Sequence, residues 1–168
     1  MAPTVTLLGN PVELHGELPE VGAAAPDFTA LSTEMKPVAL SGFRGKVVLV
    51  ASLGSLDTPT CDAETRRFNV EASALGEDVE VLTVSMDLPF AQARWCGAAG
   101  IERIQTLSDH RDASFGRAYG VLVPATRLLA RALFVIDRDG VVRYTQLVPE
   151  IADEPDYAAA LAALAELV

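Results

Sequence analysis

Two continuous apolar runs, KVVLVAS at residues 46–52 and VEVLTVSMD at residues 79–87, constrain the fold of this chain most strongly. Both are rich in β-branched residues, which is typical of strands that are buried on both faces of a sheet. Between them, residues 60–75 carry the helix-favouring types Glu, Arg and Ala and end at Gly76. The order strand, helix, strand predicts two parallel strands joined by a right-handed crossover.

The segments on either side of this βαβ unit complete the predicted fold. Alternating apolar residues around GNP predict an N-terminal hairpin that turns at Gly9 to Pro11, and the runs RALFVID and VVRYTQLV predict a second hairpin near the C-terminus. The other predicted elements are one or two short strands within residues 28–40, a helix at 89–99, a short helix that stops at Gly120 and a last helix from about Pro155. We expect a thioredoxin-like α/β sandwich with a central mixed sheet, flanking helices and an N-terminal hairpin extension at residues 1–17, in a single domain of residues 1–168.

The charge and the distribution of apolar residues argue against several classes of function. A net charge of -10 disfavours binding to nucleic acid or to an anionic membrane, because both reward clusters of Lys and Arg. The sequence contains no apolar stretch of bilayer length, and its first residues lack the pattern of an export signal. We therefore expect a cytoplasmic protein without membrane contacts.

The segment SLDTPTC places Cys61 where the first buried strand leads into the helix. Open α/β sheets present their reactive groups at such positions. Pro59 is best tolerated as the first helical residue, which makes Thr58 the N-cap and Cys61 the third helical residue. We expect the Thr58 hydroxyl to reach the N–H of Cys61 and to lie beside the sulfur. The positive end of the helix dipole at this position stabilises a thiolate, which is the nucleophilic form of cysteine.

Three carboxylates close to Cys61 oppose this effect. Asp57, Asp62 and Glu64 all lie within a few residues of the thiol. Negative charges disfavour the ionisation of a nearby thiol. The fold should therefore bring a cation to the sulfur from elsewhere.

The candidate cations are Arg66, Arg67 and Arg131. Arg66 and Arg67 follow Cys61 on the same helix, where a solvated face is the ordinary place for charged residues. Arg131 begins the apolar run ALFVID, where a charge is costly unless it is paired. Arg131 is the preferred candidate, because its planar guanidinium can hold a thiolate and a substrate oxygen together.

Several long segments, in the same order along the chain, resemble the peroxiredoxins, and among them the bacterial thiol peroxidases of the atypical two-cysteine type. They are the N-terminal hairpin and the sequences SLDTPTC, RRFN, DLPFAQARWCG, ARALFVID and LVPEIADEPDYAAAL. By this resemblance, Cys61 is the peroxidatic cysteine, Thr58 binds and polarises the peroxide, and Arg131 stabilises the thiolate. Cys96 is the resolving cysteine.

The resemblance also implies a reaction. The Cys61 thiolate attacks hydrogen peroxide or an organic hydroperoxide to give a sulfenic acid, which condenses with Cys96 to an intramolecular disulfide that thioredoxin reduces. The resemblance further implies a homodimer. No cofactor is expected, and the sequence lacks the ligand pattern of a metalloenzyme. One departure is visible, because Gly54 stands where the family pattern Pro-x-x-x-Thr-x-x-Cys has its proline. Glycine gives this loop more conformational freedom.

From the residues alone, Cys96 also fits an inert packing position, since a free cysteine behaves as a small hydrophobe. A disulfide needs Cα atoms within about 7 Å, so we expect the first turn at Cys61 and the helix around Cys96 to unwind locally before it forms. Gly97 and Gly100 lower the cost of that opening. The neighbouring Trp95 fits equally a core aromatic and a surface for substrate or thioredoxin.

Two other functions compete with a peroxidase. A thiol-disulfide oxidoreductase on the same fold is disfavoured because the chain has no CxxC motif. A redox-sensing interaction protein, which does not turn over peroxide, is compatible with two cysteines on this fold. Peroxide turnover distinguishes these functions from one another.

Overall fold

The computed structural model describes residues 4–168, so the first three residues of the predicted N-terminal extension lie outside the described range. The strands are β1 (Thr4–Leu7), β2 (Asn10–Glu13), β3 (Thr29–Leu31), β4 (Pro37–Ala39), β5 (Val47–Ser52), β6 (Val79–Ser85), β7 (Gln105–Ser108), β8 (Leu122–Val123), β9 (Leu128–Leu129), β10 (Ala132–Ile136) and β11 (Val142–Leu147). The helices are α1 (Pro59–Leu75), α2 (Pro89–Ala99), α3 (Ser114–Ala118) and α4 (Tyr157–Ala165), with a 3-10 helix at Leu40–Phe43.

The predicted βαβ unit is confirmed. Strands β5 and β6 pair in parallel from Val47 opposite Val79 to Ser52 opposite Val84, and α1 connects them. All six residues of β5 are buried, as expected for a central strand. Helix α1 ends at Gly76, whose φ of 85° lies in a region that residues with a Cβ rarely adopt.

The central sheet is mixed and has seven strands in the order β11-β10-β5-β6-β7-β3-β4. Strands β5, β6 and β7 are parallel, and the other neighbours are antiparallel. The side chains of β5 alternate between two cores, because Leu49 packs with Phe68 of α1 and Tyr157 of α4, whereas Val50 packs with Phe115 of α3 on the opposite face. The predicted α/β sandwich is therefore confirmed.

Two details of the sequence-based prediction are corrected. The N-terminal hairpin turns at Leu8 and Gly9, not at Gly9 to Pro11, because Leu7 pairs directly with Asn10. Pro11 lies within β2, where an edge strand tolerates a residue that cannot donate a hydrogen bond. The short strands β7, β8 and β9 were not predicted, since their residues show no alternation of apolar and polar side chains.

The N-terminal hairpin docks on the segment that follows β11. The Thr6 N–H donates to the Pro149 carbonyl oxygen at 2.8 Å, and the Ile151 N–H donates to the Thr6 carbonyl oxygen at 2.8 Å. This contact brings the first described strand beside the carboxyl end of β5. Among residues 4–168, no helix is both long enough and apolar enough to cross a membrane.

Candidate active site

Cys61 lies in the first turn of α1 and is almost completely buried, with 2% of its surface exposed. The helix begins at Pro59, and the backbone of Thr58 is extended, as the N-cap prediction requires. The Asp62 N–H donates to the Thr58 carbonyl oxygen at 2.9 Å. The predicted capping by the Thr58 side chain is wrong, however, because that hydroxyl donates to the Ser55 carbonyl oxygen at 2.8 Å.

Arg131 approaches Cys61 from the start of β10. Its Nη2 atom lies 3.2 Å from the Cys61 Sγ atom, its Nε donates to the Ile151 carbonyl oxygen at 3.1 Å, and its Nη1 donates to Glu64. Only 2% of the Arg131 surface is exposed. Burial alone would lower the pKa of Arg131, but Glu64 and the Cys61 sulfur raise it above its ordinary value. The guanidinium therefore stays charged beside the sulfur.

Glu64 is the buried counter-ion of Arg131. Burial raises the pKa of the Glu64 carboxyl to about 7, although Arg131 opposes this shift. The Glu64 Oε1 atom has no hydrogen-bond partner among the described residues. The Arg131 guanidinium thus contacts both the Cys61 thiol and the Glu64 carboxyl group. Arg131 pairs with one Glu64 oxygen, and the other oxygen has no partner among the described residues.

The other two carboxylates near Cys61 have partners of their own, and for Asp57 the partner is Arg94, whose Nη2 lies 3.7 Å from Oδ1. Asp62 accepts hydrogen bonds from the Arg66 Nε at 2.9 Å and from the Trp95 Nε1 at 2.7 Å. Burial acts against ionisation of Asp62, but these two donors hold its pKa below the ordinary value. The Arg66 guanidinium also lies over the Trp95 ring, with its Cζ 5.5 Å from the ring centroid.

Of the three candidate cations, Arg131 is the one that contacts the Cys61 sulfur within the described part of the chain. Arg66 is paired with Asp62. Arg67 lies over the ring of Tyr157, with its Cζ 4.1 Å from the ring centroid. Both residues are exposed on α1, as expected for a solvated helix face.

The Cys61 thiol lies at a cavity of about 460 Å³ that Arg131 and Thr58 also line. Its walls are mainly apolar. They come from the N-terminal hairpin, the β8–β9 region and the segment after β11, represented by Leu7, Leu8, Val12, Val123, Leu128, Leu129, Ile151 and Ala152. The arrangement combines a nucleophile and a fixed cation with room for an apolar ligand.

Cys96 is not part of this cavity. It lies in α2, where its Sγ atom is 3.4 Å from the Thr106 hydroxyl, and it lines a separate cavity of about 280 Å³. Both cysteines are free thiols. Burial raises the pKa of the Cys96 thiol, and the contact with Thr106 opposes this shift. The adjacent Trp95 packs against the cluster of Leu53, Leu56 and Cys61.

Comparison with known proteins decides the family. The model of the Redoxin family matches residues 20–161. The chain is 51% identical to the thiol peroxidase of Bacillus subtilis (strain 168) over 164 residues, which cover 98% of both chains. It belongs to the thiol peroxidases of the Redoxin family.

Solved structures agree with this family and with the predicted thioredoxin-like fold. A peroxiredoxin-like protein from Aquifex aeolicus superposes with a TM-score of 0.94 at 41% identity, covering 100% of this chain and 99% of that one. A thiol peroxidase from Chromobacterium violaceum gives a TM-score of 0.85 at 25% identity, covering 97% and 95%. The protein is therefore a peroxidase of the peroxiredoxin type.

In this thiol peroxidase, two acidic residues near Cys61 have positions that sequence reasoning missed. Glu64 was considered only as a charge that opposes the thiolate, whereas it pairs with Arg131. Asp87, two residues after the end of β6, accepts hydrogen bonds from the Ser55 hydroxyl at 2.6 Å and from the Leu56 N–H at 2.9 Å. For Glu64, the available sequence signal was its spacing, because it lies one turn after Cys61 on the same helix and so on the same side. Nothing local marks Asp87.

Gly54, at the position of the family's proline, also lines the cavity. Its φ lies outside the positive range, and a Cβ added there would meet only the Leu129 carbonyl oxygen, at 4.0 Å. The backbone at this point therefore does not require glycine. Hydrogen bonds to Asp87 hold Ser55 and Leu56, the two residues that follow Gly54, so the loop before Cys61 is anchored there.

Proposed function

We propose that Cys61 reduces hydrogen peroxide and organic hydroperoxides. The observation that carries the proposal is the contact between the Arg131 Nη2 and the Cys61 Sγ, at 3.2 Å, beside an apolar cavity. The thiolate attacks the terminal oxygen of the hydroperoxide, so that an S–O bond forms as the O–O bond breaks. Sulfur is oxidised to the sulfenic acid, and the departing oxygen takes up a proton to leave as an alcohol, or as water from hydrogen peroxide.

Arg131 acts on both partners of this step. Its N–H donors stabilise the thiolate before attack, and its fixed charge favours the negative charge that develops on the departing oxygen. Because Glu64 and the Ile151 carbonyl oxygen hold the guanidinium in place, little reorganisation is needed during the reaction.

Thr58 orients the peroxide. Its hydroxyl hydrogen is donated to the Ser55 carbonyl oxygen, which leaves the Thr58 oxygen free to accept a hydrogen bond. A hydroperoxide O–H directed at this oxygen presents its terminal oxygen to the Cys61 sulfur. Thr58 and Cys61 line the same cavity, in agreement with such a pose.

Cys96 resolves the sulfenic acid. The Cys96 sulfur attacks the Cys61 sulfur and gives up its proton, the S–S bond forms as the S–O bond breaks, and the sulfenic hydroxyl leaves with that proton as water. Since the two cysteines line separate cavities, the first turn of α1 and the end of α2 open before they meet. Gly97 lies in that part of α2, and Gly100 caps the helix with a φ of 69°. Comparison of amide exchange in the oxidised and reduced proteins tests the opening, and equal exchange over residues 57–66 and 92–100 would contradict it.

Thioredoxin reduces the disulfide, and the protein works as a homodimer in the cytoplasm. Support for self-association comes from Leu88 and Phe90 at the start of α2, which are 52% and 68% exposed. Apolar side chains of this size gain from burial against a second copy. Light scattering on the reduced protein tests the dimer.

The decisive experiment measures peroxide consumption with NADPH, thioredoxin reductase and thioredoxin. The unchanged protein is compared with Cys61→Ser and Cys96→Ser. We expect Cys61→Ser to lose all activity, and Cys96→Ser to consume one peroxide per chain but to turn over poorly. Full steady-state turnover of Cys96→Ser would overturn the resolving role, and turnover of Cys61→Ser would overturn the proposal as a whole.

A further inference from the structure

Glu150 joins the N-terminal hairpin to the segment after β11. Its Oε1 atom accepts hydrogen bonds from the Gly9 N–H at 2.8 Å and from the Thr6 hydroxyl at 3.1 Å. Its Oε2 atom accepts from the Ala152 N–H at 2.8 Å. These donors, Ala152 first and then Gly9, lower the pKa of Glu150 to about 2, so that it is a carboxylate throughout the neutral range. One ionised side chain thus ties the tip of the hairpin, at Gly9, to a segment that the backbone of Thr6 already joins further down the strand.

The tip of the hairpin has a backbone that needs such support. Leu8 and Gly9 form a two-residue turn with φ values of 51° and 84°. Turns of this type favour Asn-Gly, and a leucine with positive φ is strained. Leu8 is also 78% exposed, so its own burial does not hold it in place. Strained positions persist where the surrounding structure determines them, and here the bond from Gly9 to Glu150 does so.

Both segments that Glu150 joins are walls of the Cys61 cavity. Leu7 and Leu8 line it from the hairpin, and Ile151 and Ala152 line it from the other side. Glu150 therefore helps to set the separation of two apolar walls without itself lining the cavity. Hydrogen peroxide has no apolar part that could use these walls, whereas an organic hydroperoxide buries its hydrocarbon group against them.

We propose that Glu150 is a positioning residue that holds the hairpin over the Cys61 cavity and so determines how fast organic hydroperoxides react relative to hydrogen peroxide. The inference rests on the proposed function, because it assumes attack by Cys61 on both kinds of substrate. Replacement of the carboxylate by an amide is the sharpest perturbation. In Glu150→Gln, one of the two acceptor oxygens becomes an NH₂ group that faces an N–H donor, so the side chain loses its bond to one of the two segments, while the backbone bonds of Thr6 to Pro149 and Ile151 remain.

The test measures second-order rate constants for the oxidation of the full-length protein by cumene hydroperoxide and by hydrogen peroxide. For Glu150→Gln we expect the ratio of the two constants to fall by about fivefold or more, since part of the apolar contact is lost. The constant for hydrogen peroxide should change little. Asp153→Asn is the matched control, because Asp153 is an exposed carboxylate three residues further along the same segment, and its ratio should be unchanged.

A second variant reaches the same wall while Glu150 is kept. Leu8→Asn removes the apolar side chain at the tip but suits the turn, because Asn adopts positive φ readily. We expect the same selective loss with cumene hydroperoxide. A parallel loss with both peroxides in Glu150→Gln would overturn the inference, because it would mean that Glu150 acts through the Ile151 contact to Arg131.

Two further outcomes are decisive. An unchanged ratio in both Glu150→Gln and Leu8→Asn would also overturn the inference. If the unchanged protein reacted with neither peroxide, the proposed function itself would fail, which is a different result from an unchanged ratio.

Discussion

Replacement of Arg131 separates its effect on the sulfur from its effect on the fold. At 3.2 Å from the Cys61 Sγ, a full positive charge stabilises a full negative charge by about 5 kcal/mol at an effective dielectric constant of about 20. Glu64 shares the guanidinium, so we expect about half of this to be lost in Arg131→Met. That loss corresponds to a reduction of about a hundredfold in the rate constant for oxidation by peroxide at neutral pH.

Arg131→Met also leaves the Glu64 carboxyl buried without its counter-ion. Loss of one partner of a buried pair costs about 3 to 5 kcal/mol in the free energy of unfolding. The double variant Arg131→Met/Glu64→Gln removes both charges, so it should recover most of that stability. It should not recover the reaction rate, because the sulfur still lacks a cation.

The assay combines stopped-flow oxidation of the reduced protein with urea unfolding. It is applied to the unchanged protein, to Arg131→Met, to Glu64→Gln and to the double variant. If the double variant regained the rate together with the stability, the only role of Arg131 would be to neutralise Glu64. That result would refute the reasoning about the thiolate.

Three further predictions concern Glu64, Trp95 and two glycines. Because folding raises the pKa of Glu64 from 4.5 to about 7, its contribution to stability is fully present below pH 4.5 and is lost as the pH rises through 7. The free energy of unfolding, measured with urea, should therefore decrease by about 3 kcal/mol over this range in the unchanged protein but not in Glu64→Gln. An equal decrease in Glu64→Gln would contradict the assignment. Trp95→Phe removes the hydrogen bond between Trp95, next to Cys96, and Asp62, next to Cys61. Disulfide formation should then accelerate by about tenfold, as measured by quenched-flow mass spectrometry. An unchanged rate would show that the opening does not involve this bond. Gly54→Ala should leave the midpoint of thermal unfolding unchanged or raise it slightly. Gly120→Ala should lower the midpoint strongly, because a Cβ on Gly120 would lie 2.6 Å from a backbone carbonyl oxygen and the φ of Gly120 is 71°. Similar midpoints for the two variants would contradict this prediction.

Much of the fold follows from local patterns in the sequence. The buried runs at β5 and β6 and the helix between them were predictable, because continuous β-branched residues and a terminal glycine report local structure directly. The turn of the first hairpin was misplaced because Leu8 is an unusual residue for positive φ. The short strand β7 was missed because its pairing with β6 and β3 depends on distant segments.

The candidate site likewise has features that local sequence predicts and features that it does not. Cys61 in the first turn of α1 and the cost of burying Arg131 could be predicted from the sequence, since helix-start signals and the chemistry of a charge in an apolar run are local properties. The tertiary structure decided what each group contacts. It directed the Thr58 hydroxyl to Ser55, and it buried Glu64 against Arg131.

The sequence by itself therefore determined the chemistry that this protein carries, because residue types and their places on helices and strands follow from neighbours along the chain. Only the tertiary structure decided the geometry in which that chemistry operates. Arg131 meets Cys61 across 70 residues of sequence, and Glu150 meets Gly9 across 141. Contacts of this range depend on how the sheet, the helices and the hairpin pack together. The local sequence indicated that the Arg131 charge needs a partner, but it did not encode the geometry of the contact.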